Sequence, residues 1–285
     1  MEVPLNVGIV GTDSTHFNHF LKLLPSLQDN LSIEVKGVFD LEETANYRAY
    51  KGVKGSSENF FDSLLASSDM LLILNRFPEN NFRIACAAIE HGCGVFIDKP
   101  IFSNSNEAAE FCRLVDGLGS FVSYGSALKY CREVSELKLS LNTIRRIQIE
   151  GPGACNDMGN DPRYSDVGFY GVHLIEIALE FLDVESLKLL PSRASHKSTM
   201  VDKSLQVDLI IEDKAREHYR ITAEYETGFC TSLDISLDGS YFEFMFQEVL
   251  IAAQTLDGPA FATPRLLKTM QILDAIRRER CKICV

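Results

Sequence analysis

Two stretches of the chain combine residue types that do chemistry. The first is GIVGTDSTHF, residues 8–17. An apolar run enters Gly11, and Thr12, Asp13, Ser14 and Thr15 follow before a helical pattern begins. A glycine ending a strand permits a tight turn, and the amides at the start of the next helix suit an anion, so the spacing reads as a phosphate-binding turn. Asp13 and His16 stand where the second and third glycines of G-x-G-x-x-G belong. Asp13, Ser14 and Thr15 can each serve as N-cap. A capping Asp13 would use the amides a pyrophosphate needs. Alternatively, the hydroxyls of Thr12, Ser14 and Thr15 donate to phosphate while Asp13 points away.

The second stretch is RYSDVGFYGVHLIEIALEFL, which reads as one long helix with Leu174, Ile177, Ala178 and Phe181 on its buried side. Tyr170 and Glu176 lie three residues either side of His173 and neighbour it on a helical surface. A histidine between a phenol and a carboxylate is an acid–base candidate, although it also suits a purely structural role. Two further residues end strands. Asp40 can accept from ribose hydroxyls and would disfavour a 2′-phosphate, or it can cap the next helix with Glu43 at the third position. Lys99, in FIDKP, falls at the carboxyl end of a buried strand, placed to bind a substrate hydroxyl or simply to reach solvent.

The elements needed to position these residues are legible. Over residues 1–125 strands alternate with helices: LNVGIVG is a buried strand and LSIEVKGVFD the second, and DMLLILN and GVFID are later ones, short and apolar as parallel strands buried on both faces are. Between them lie a helix at HFNHFLKLLPSLQ, which Pro25 is expected to kink, and one at PENNFRIACAAIEHG. After about residue 140 the period becomes two, in LQVDLII, YRITAEY and TSLDISL, as in antiparallel strands with one covered face. Two helices close the chain, the last with Thr263 as expected N-cap and Leu266, Met270 and Leu273 as its stripe. The fold class is α/β: a doubly wound parallel sheet in residues 1–125 and an α+β domain with an open, mainly antiparallel sheet in residues 126–285.

Composition narrows the classes. The chain has 285 residues, 46% of them hydrophobic, and a formal net charge of −12. No basic patch suggests nucleic acid, and no apolar run is long enough for a bilayer. The N-terminus lacks a basic leader pattern, and eight cysteines are scattered singly, so a reduced, cytoplasmic protein is expected. The close pair Cys281 and Cys284 lacks the partners of a zinc site, and no metal is expected.

Together these motifs resemble the Gfo/Idh/MocA family of NAD(P)-dependent oxidoreductases. VGIVGT resembles its opening, DMLLILNRFPENNFRIACAAIEHGCGVFIDKPI its segment ending in Glu-Lys-Pro (here with Asp98), FYGVH its histidine helix in a YGIH-type variant, and FQEVLIAAQTLDGPAFATPRLLKTMQILDAIRRER its C-terminal segment. The resemblance implies hydride transfer at a carbinol carbon of a sugar, cyclitol or hydroxy/keto compound, and a homo-oligomer through the C-terminal sheet. It carries over Lys99 and His173 as catalytic, with Tyr170 as a further candidate. The candidate cofactor set is Gly11, Thr12, Asp13, Ser14, Thr15, Asp40, Asn75, Arg76, Asp98 and Lys99, with NAD favoured over NADP. The family's catalytic aspartate falls on Phe169, which cannot take a proton; Tyr170 and Asp166 are the candidates to replace it. Two rival readings stand beside this one: a bound NAD used in a net non-redox cycle, and a redox-degenerate protein serving as ligand sensor or partner subunit.

Overall fold

A computed structural model describes residues 3–154, 161–190, 196–212, 218–255 and 262–283. By contacts the chain divides into Met1–Gly125 with Phe242–Leu266, and Ser126–Tyr241 with Leu267–Val285. Residues 242–266 thus belong with the first body, whereas the sequence reading places all of 126–285 in the second.

The first body holds a six-stranded sheet of order β3-β2-β1-β4-β5-β6, parallel throughout. Its strands are β1 (Leu5–Val10), β2 (Ile33–Phe39), β3 (Lys54–Gly55), β4 (Met70–Ile73), β5 (Gly94–Asp98) and β6 (Val122–Gly125). Every residue of β4 and β5 is buried, which is why these segments read as unbroken apolar runs. The connecting helices are α1 (Thr15–Asn30), α2 (Ala45–Ala49), α3 (Glu58–Ser67), α4 (Asn81–Glu90) and α5 (Ser105–Leu118). Pro25 lies inside α1. The N-cap of α2 is Thr44, whose hydroxyl accepts from Tyr47 N at 3.2 Å, so the expected Asp40–Glu43 capping box does not form.

The second body contains α6 (Arg132–Lys138), β7 (Ile144–Pro152), α7 (Gly171–Leu179), β8 (Lys188–Leu190), β9 (Lys197–Val201), β10 (Gln206–Glu212), β11 (Arg220–Tyr225) and β12 (Cys230–Asp234). Its sheet runs β12-β11-β7-β10-β9-β8; β7 and β10 pair in parallel and the remaining neighbours antiparallel. One face buries Ile147, Ile149, Val207, Leu209, Ile221 and Ala223, while the other carries polar cross-strand pairs such as Arg220–Asp234 and Thr222–Ser232. Two helices complete the chain, α8 (Ser240–Thr255) and α9 (Ala262–Ile283). Phe246 of α8 meets Phe20 at 5.0 Å and Phe96 at 6.4 Å between ring centroids, which seats α8 in the first core. Thr263 lies within α9 and its hydroxyl donates to Asp116 at 3.0 Å instead of capping. Leu266, Met270 and Leu273 are buried.

The expected long histidine helix is only nine residues, α7. A 3-10 turn, Pro162–Ser165, precedes it. The chain then docks on the end of β7: Tyr170 N and Gly171 N both donate to Gly153 O at 3.2 Å. Gly171 starts the helix where a Cβ would lie 2.9 Å from Val167 Cγ2. All nine α7 residues are buried, so this helix is enclosed rather than amphipathic.

Candidate active site

The candidate residues of the first body gather at one edge of its sheet. Gly11 follows β1, Asp40 follows β2, Asn75 and Arg76 lie just past β4, and Asp98 ends β5 with Lys99 next. These are carboxyl ends, and β1 and β4 flank the point where the strand order reverses, the place where open α/β sheets bind ligands.

Gly11 has φ +87°, and a Cβ there would lie 2.1 Å from Asn75 Oδ1 and 2.8 Å from Asn75 N. Only glycine lets the turn pass so close to the end of β4. Ser14 is the N-cap of α1, its hydroxyl accepting from His16 N at 3.1 Å, and Thr15 is exposed at the first helical position. Asp13 does not cap. Its Oδ1 accepts from Arg76 N at 2.9 Å, and Arg76 Nε donates to Asp13 O at 2.8 Å. Burial raises the Asp13 carboxyl above its ordinary value, the Arg76 N–H opposes this, and the Asp40 charge adds to it.

Thr12 is fully buried, and both its amide, at 2.8 Å, and its hydroxyl donate to Asp40 Oδ2. Asn46 Nδ2 donates to its carbonyl at 2.7 Å. The Thr12 hydroxyl is thus engaged within the fold, by Asp40 and by Thr44 Oγ1 at 2.5 Å. Asp40 is likewise turned inward, its Oδ1 accepting from Glu42 N at 2.9 Å. His16 reaches the sheet edge, where Nδ1 pairs with Asp98 Oδ2. The buried Asp98 Oδ1 has no hydrogen-bond partner among the described residues. Lys99 is 9% exposed, not a lysine that reaches solvent. The segment after it is pinned by Asn81, whose Nδ2 donates to Pro100 O at 2.9 Å and Ile101 O at 3.0 Å while its Oδ1 accepts from Asn75 Nδ2 at 2.9 Å. Asn81 was not singled out from sequence; an asparagine heading a helix carries no signal of such a contact.

The second body presents His173, buried on α7. Its Nδ1 lies 2.5 Å from Ser126 Oγ. Tyr170 stacks on the ring at 6.0 Å between centroids, and Tyr219 meets it edge-on at 5.6 Å. Glu176 neighbours His173 along the helix, but its carboxylate accepts from Thr269 Oγ1 at 2.5 Å and Lys129 Nζ at 3.1 Å. Asp166 is bound by Arg277, at 2.6 Å from Nη2, and by Gly168 N at 2.6 Å, which assigns it to the turn before α7. Phe169 packs between Tyr164 and Tyr170, an apolar wall at the position where the family resemblance expects an aspartate. Ser126, Lys129, Thr269 and Tyr219 were not legible as site residues, because all of them lie outside α7 and are distant from it in sequence.

Burial pushes the thiols of Cys86 and Cys93 up to about 11 and that of Cys131 up to about 12, away from nucleophilic use. Cys281 is exposed, and Cys284 lies outside the described residues. Among the described residues no group of three or more His, Cys, Asp or Glu side chains is placed to hold a metal, and no helix is long and apolar enough to cross a membrane.

A parallel six-stranded sheet with a glycine turn at its reversal point defines a dinucleotide-binding α/β protein. Residues 5–126 match the model of the oxidoreductase family GFO_IDH_MocA, NAD-binding Rossmann fold. Among solved structures it is similar to a dehydrogenase (MviM) from Clostridium difficile, at 15% identity and a TM-score of 0.76, covering 96% of this chain and 99% of that one. It is similar to UDP-N-acetylglucosamine 3-dehydrogenase GnnA from Acidithiobacillus ferrooxidans, at 14% identity and a TM-score of 0.69, covering 98% of each chain. A third likeness is to KijD10, a 3-ketoreductase from Actinomadura kijaniata in complex with NADP and TDP-benzene, at 13% identity and a TM-score of 0.70, covering 97% of this chain and 98% of that one. At these identities the likeness is one of fold. No curated protein matches the sequence.

The residues at the sheet edge fit a nicotinamide dinucleotide. The Cβ test at Gly11 marks a backbone approach that any side chain would block. The helix start at Ser14 and Thr15 suits phosphate, and Asp13 is turned onto Arg76 rather than onto that helix start.

Proposed function

We propose that the protein is an NAD(P)-dependent oxidoreductase that moves hydride to or from a carbinol carbon of a small polyhydroxylated substrate of sugar, cyclitol or hydroxy/keto type. The observation that carries this reading is the gathering of Gly11, Asn75, Arg76, Asp98 and Lys99 at the carboxyl ends of β1, β4 and β5. The solved structures named above support the sugar-like substrate class. The bound dinucleotide supplies the hydride chemistry. Ser14 and Thr15 meet its phosphates at the start of α1, with Arg76 as counter-charge. Lys99 holds and polarises the substrate oxygen, and His173 is the acid–base group. Asp40 keeps a negative charge at the end of β2, which favours NAD over NADP. Assembly as a homo-oligomer through the polar face of the second sheet belongs to the same reading.

Calorimetric titration with NAD, NADH, NADP and NADPH, followed by turnover on a panel of nucleotide sugars, polyols and keto sugars, tests the reading. Dinucleotide binding with a net change in nicotinamide absorbance on one substrate class is expected. No heat with any of the four at saturating concentration would overturn it. Binding and product formation without net absorbance change would point to the closed redox cycle instead.

A further inference from the structure

Lys99 stands on a short stretch of backbone that side chains of other elements hold on both flanks. The hydrogen bonds of the sheet carry β5 as far as Asp98, which is in register with Gly125 of β6. Beyond that point the chain leaves the sheet, yet Pro100 and Ile101 are buried, and a buried carbonyl needs a donor. Asn81 supplies both. It is fully buried at the head of α4, and its Nδ2 donates to Pro100 O at 2.9 Å and Ile101 O at 3.0 Å. Only the nitrogen end of an amide can face two carbonyl oxygens, so its partners fix the orientation of the side chain. Oδ1 at the other end accepts from Asn75 Nδ2 at 2.9 Å. Asn75 in turn lies against the turn after β1, where the Cβ that Gly11 lacks would strike it. A polar route thus runs from the turn through Asn75 and Asn81 to the backbone after Lys99.

The flank before Lys99 is held by a second route. The buried Asp98 pairs through Oδ2 with Nδ1 of His16. His16 is in the first turn of α1, its amide donating to the cap Ser14 at 3.1 Å and its ring meeting Phe242 edge-on at 4.6 Å between centroids. In a G-x-G-x-x-G turn a glycine stands at this position, and no side chain could reach β5 from it.

We infer that Asn81 and His16 are positioning residues, which hold the strand end that carries Lys99 in fixed register with the phosphate-binding turn. The inference rests on the proposed function and deepens it. The turn seats one reactant and Lys99 meets the other, and a misplacement of about 1 Å between reacting groups can cost 10²-fold in rate. Two routes that leave the same turn and close on either side of the lysine fix that separation within one body of the protein.

One readout of the test needs neither substrate nor dinucleotide. Lys99 is 9% exposed, so an amine reagent reaches it mainly when its segment opens. The rate of reductive methylation of Lys99 in the full-length protein is followed by peptide mass spectrometry. Asn81→Asp keeps the size of the side chain and the acceptor for Asn75 but cannot donate to the two carbonyls. It should raise the rate at Lys99 about tenfold, the factor expected for losing one or two hydrogen bonds, and leave the exposed Lys188 unchanged. His16→Leu should act likewise through Asp98. His16→Gln, whose amide can still donate to that carboxylate, should keep the slow rate.

Turnover gives the second readout. Asn81→Asp should lose about 10²-fold, and the double variant with Lys99→Ala should be no worse than Lys99→Ala alone, because residues that act as a unit are not additive. A general structural defect would add to the loss. Losses that multiply would overturn the inference, as would a wild-type methylation rate in both Asn81→Asp and His16→Leu. The outcome is separable from the function itself. Faster methylation in these variants beside full turnover in Lys99→Ala would remove the lysine from the proposed chemistry and leave the hold standing. A crippled Lys99→Ala beside unchanged methylation would refute the hold alone.

Discussion

Asp40 holds Thr12 by its amide, at 2.8 Å, and by its hydroxyl, and so ties the end of β2 to the turn after β1. A residue read from sequence as a ribose ligand or a helix cap is first a brace for the phosphate-binding turn. Asp40→Ala should therefore lower unfolding free energy by about 1–3 kcal/mol, since it strands the buried Thr12 amide and leaves the Thr12 hydroxyl with Thr44 Oγ1 in place of the carboxylate. Urea denaturation measures this. The same variant should narrow the preference for NAD over NADP in calorimetry, because it removes the charge at the end of β2. A variant as stable as wild type would show that the brace contributes nothing.

Gly11→Ala should be worse than its size suggests. The backbone stands at φ +87°, and the added carbon would fall 2.1 Å from Asn75 Oδ1. Overpacking of this kind costs about 1–3 kcal/mol, and dinucleotide affinity should fall further because the turn must open. Thermal unfolding and calorimetry read the two effects separately.

Asp13 yields a pH-dependent prediction. Burial is the first cause of its raised carboxyl, so the folded protein binds the proton more tightly than the unfolded chain does. This stabilising contribution is full below the ordinary value of 3.8 and is lost as pH rises through the higher folded value. Asp13→Asn keeps an acceptor for Arg76 N and removes the charge. It should be at least as stable as wild type at neutral pH, with the difference vanishing in acid below that window. It should also bind dinucleotide several-fold more tightly. Denaturation midpoints across pH, with titrations at neutral pH, check both. Weaker binding in Asp13→Asn would mean that the carboxylate itself is needed to hold the turn.

Glu176 is fully buried and joins Lys129 to Thr269. Glu176→Ala deprives Lys129 of this counter-charge and should cost about 3–5 kcal/mol. The double change Lys129→Met with Glu176→Leu should recover most of that loss, because a buried ion pair replaced by apolar groups of similar volume is often neutral. Denaturant titration of the single and double variants decides whether the pair is structural.

For the proposed chemistry, His173→Ala should lose about 10²–10⁴-fold in turnover, the usual contribution of a placed acid–base group. Dinucleotide affinity should hardly change. Lys99→Ala should lose turnover and also raise KM. Steady-state kinetics on the best substrate of the panel, beside calorimetry, separates the two. Unchanged turnover in either variant would remove that residue from the mechanism.

The sequence by itself determined what depends on neighbours along the chain. The apolar runs of β4 and β5, buried on both faces, announced a parallel sheet, and the glycine after β1 announced its turn. The period-two segments announced the second sheet, although not that β7 and β10 run parallel. Lys99 and His173 could be singled out because a strand end and a helix face are local properties. The partners of these groups were decided only by the tertiary structure. Ser126 meets His173, and Lys129 meets Glu176, each across 47 positions, because the 3-10 helix after β6 lies along α7. Asp13 turns to Arg76 across 63 positions, and Asp40 to Thr12 across 28. A polar side chain's choice among partners is set by which donors and acceptors packing brings within about 3 Å. Spacing in sequence fixes that distance only within one helix or one turn. The roles of cap, brace and ring partner therefore emerged only once the elements had docked.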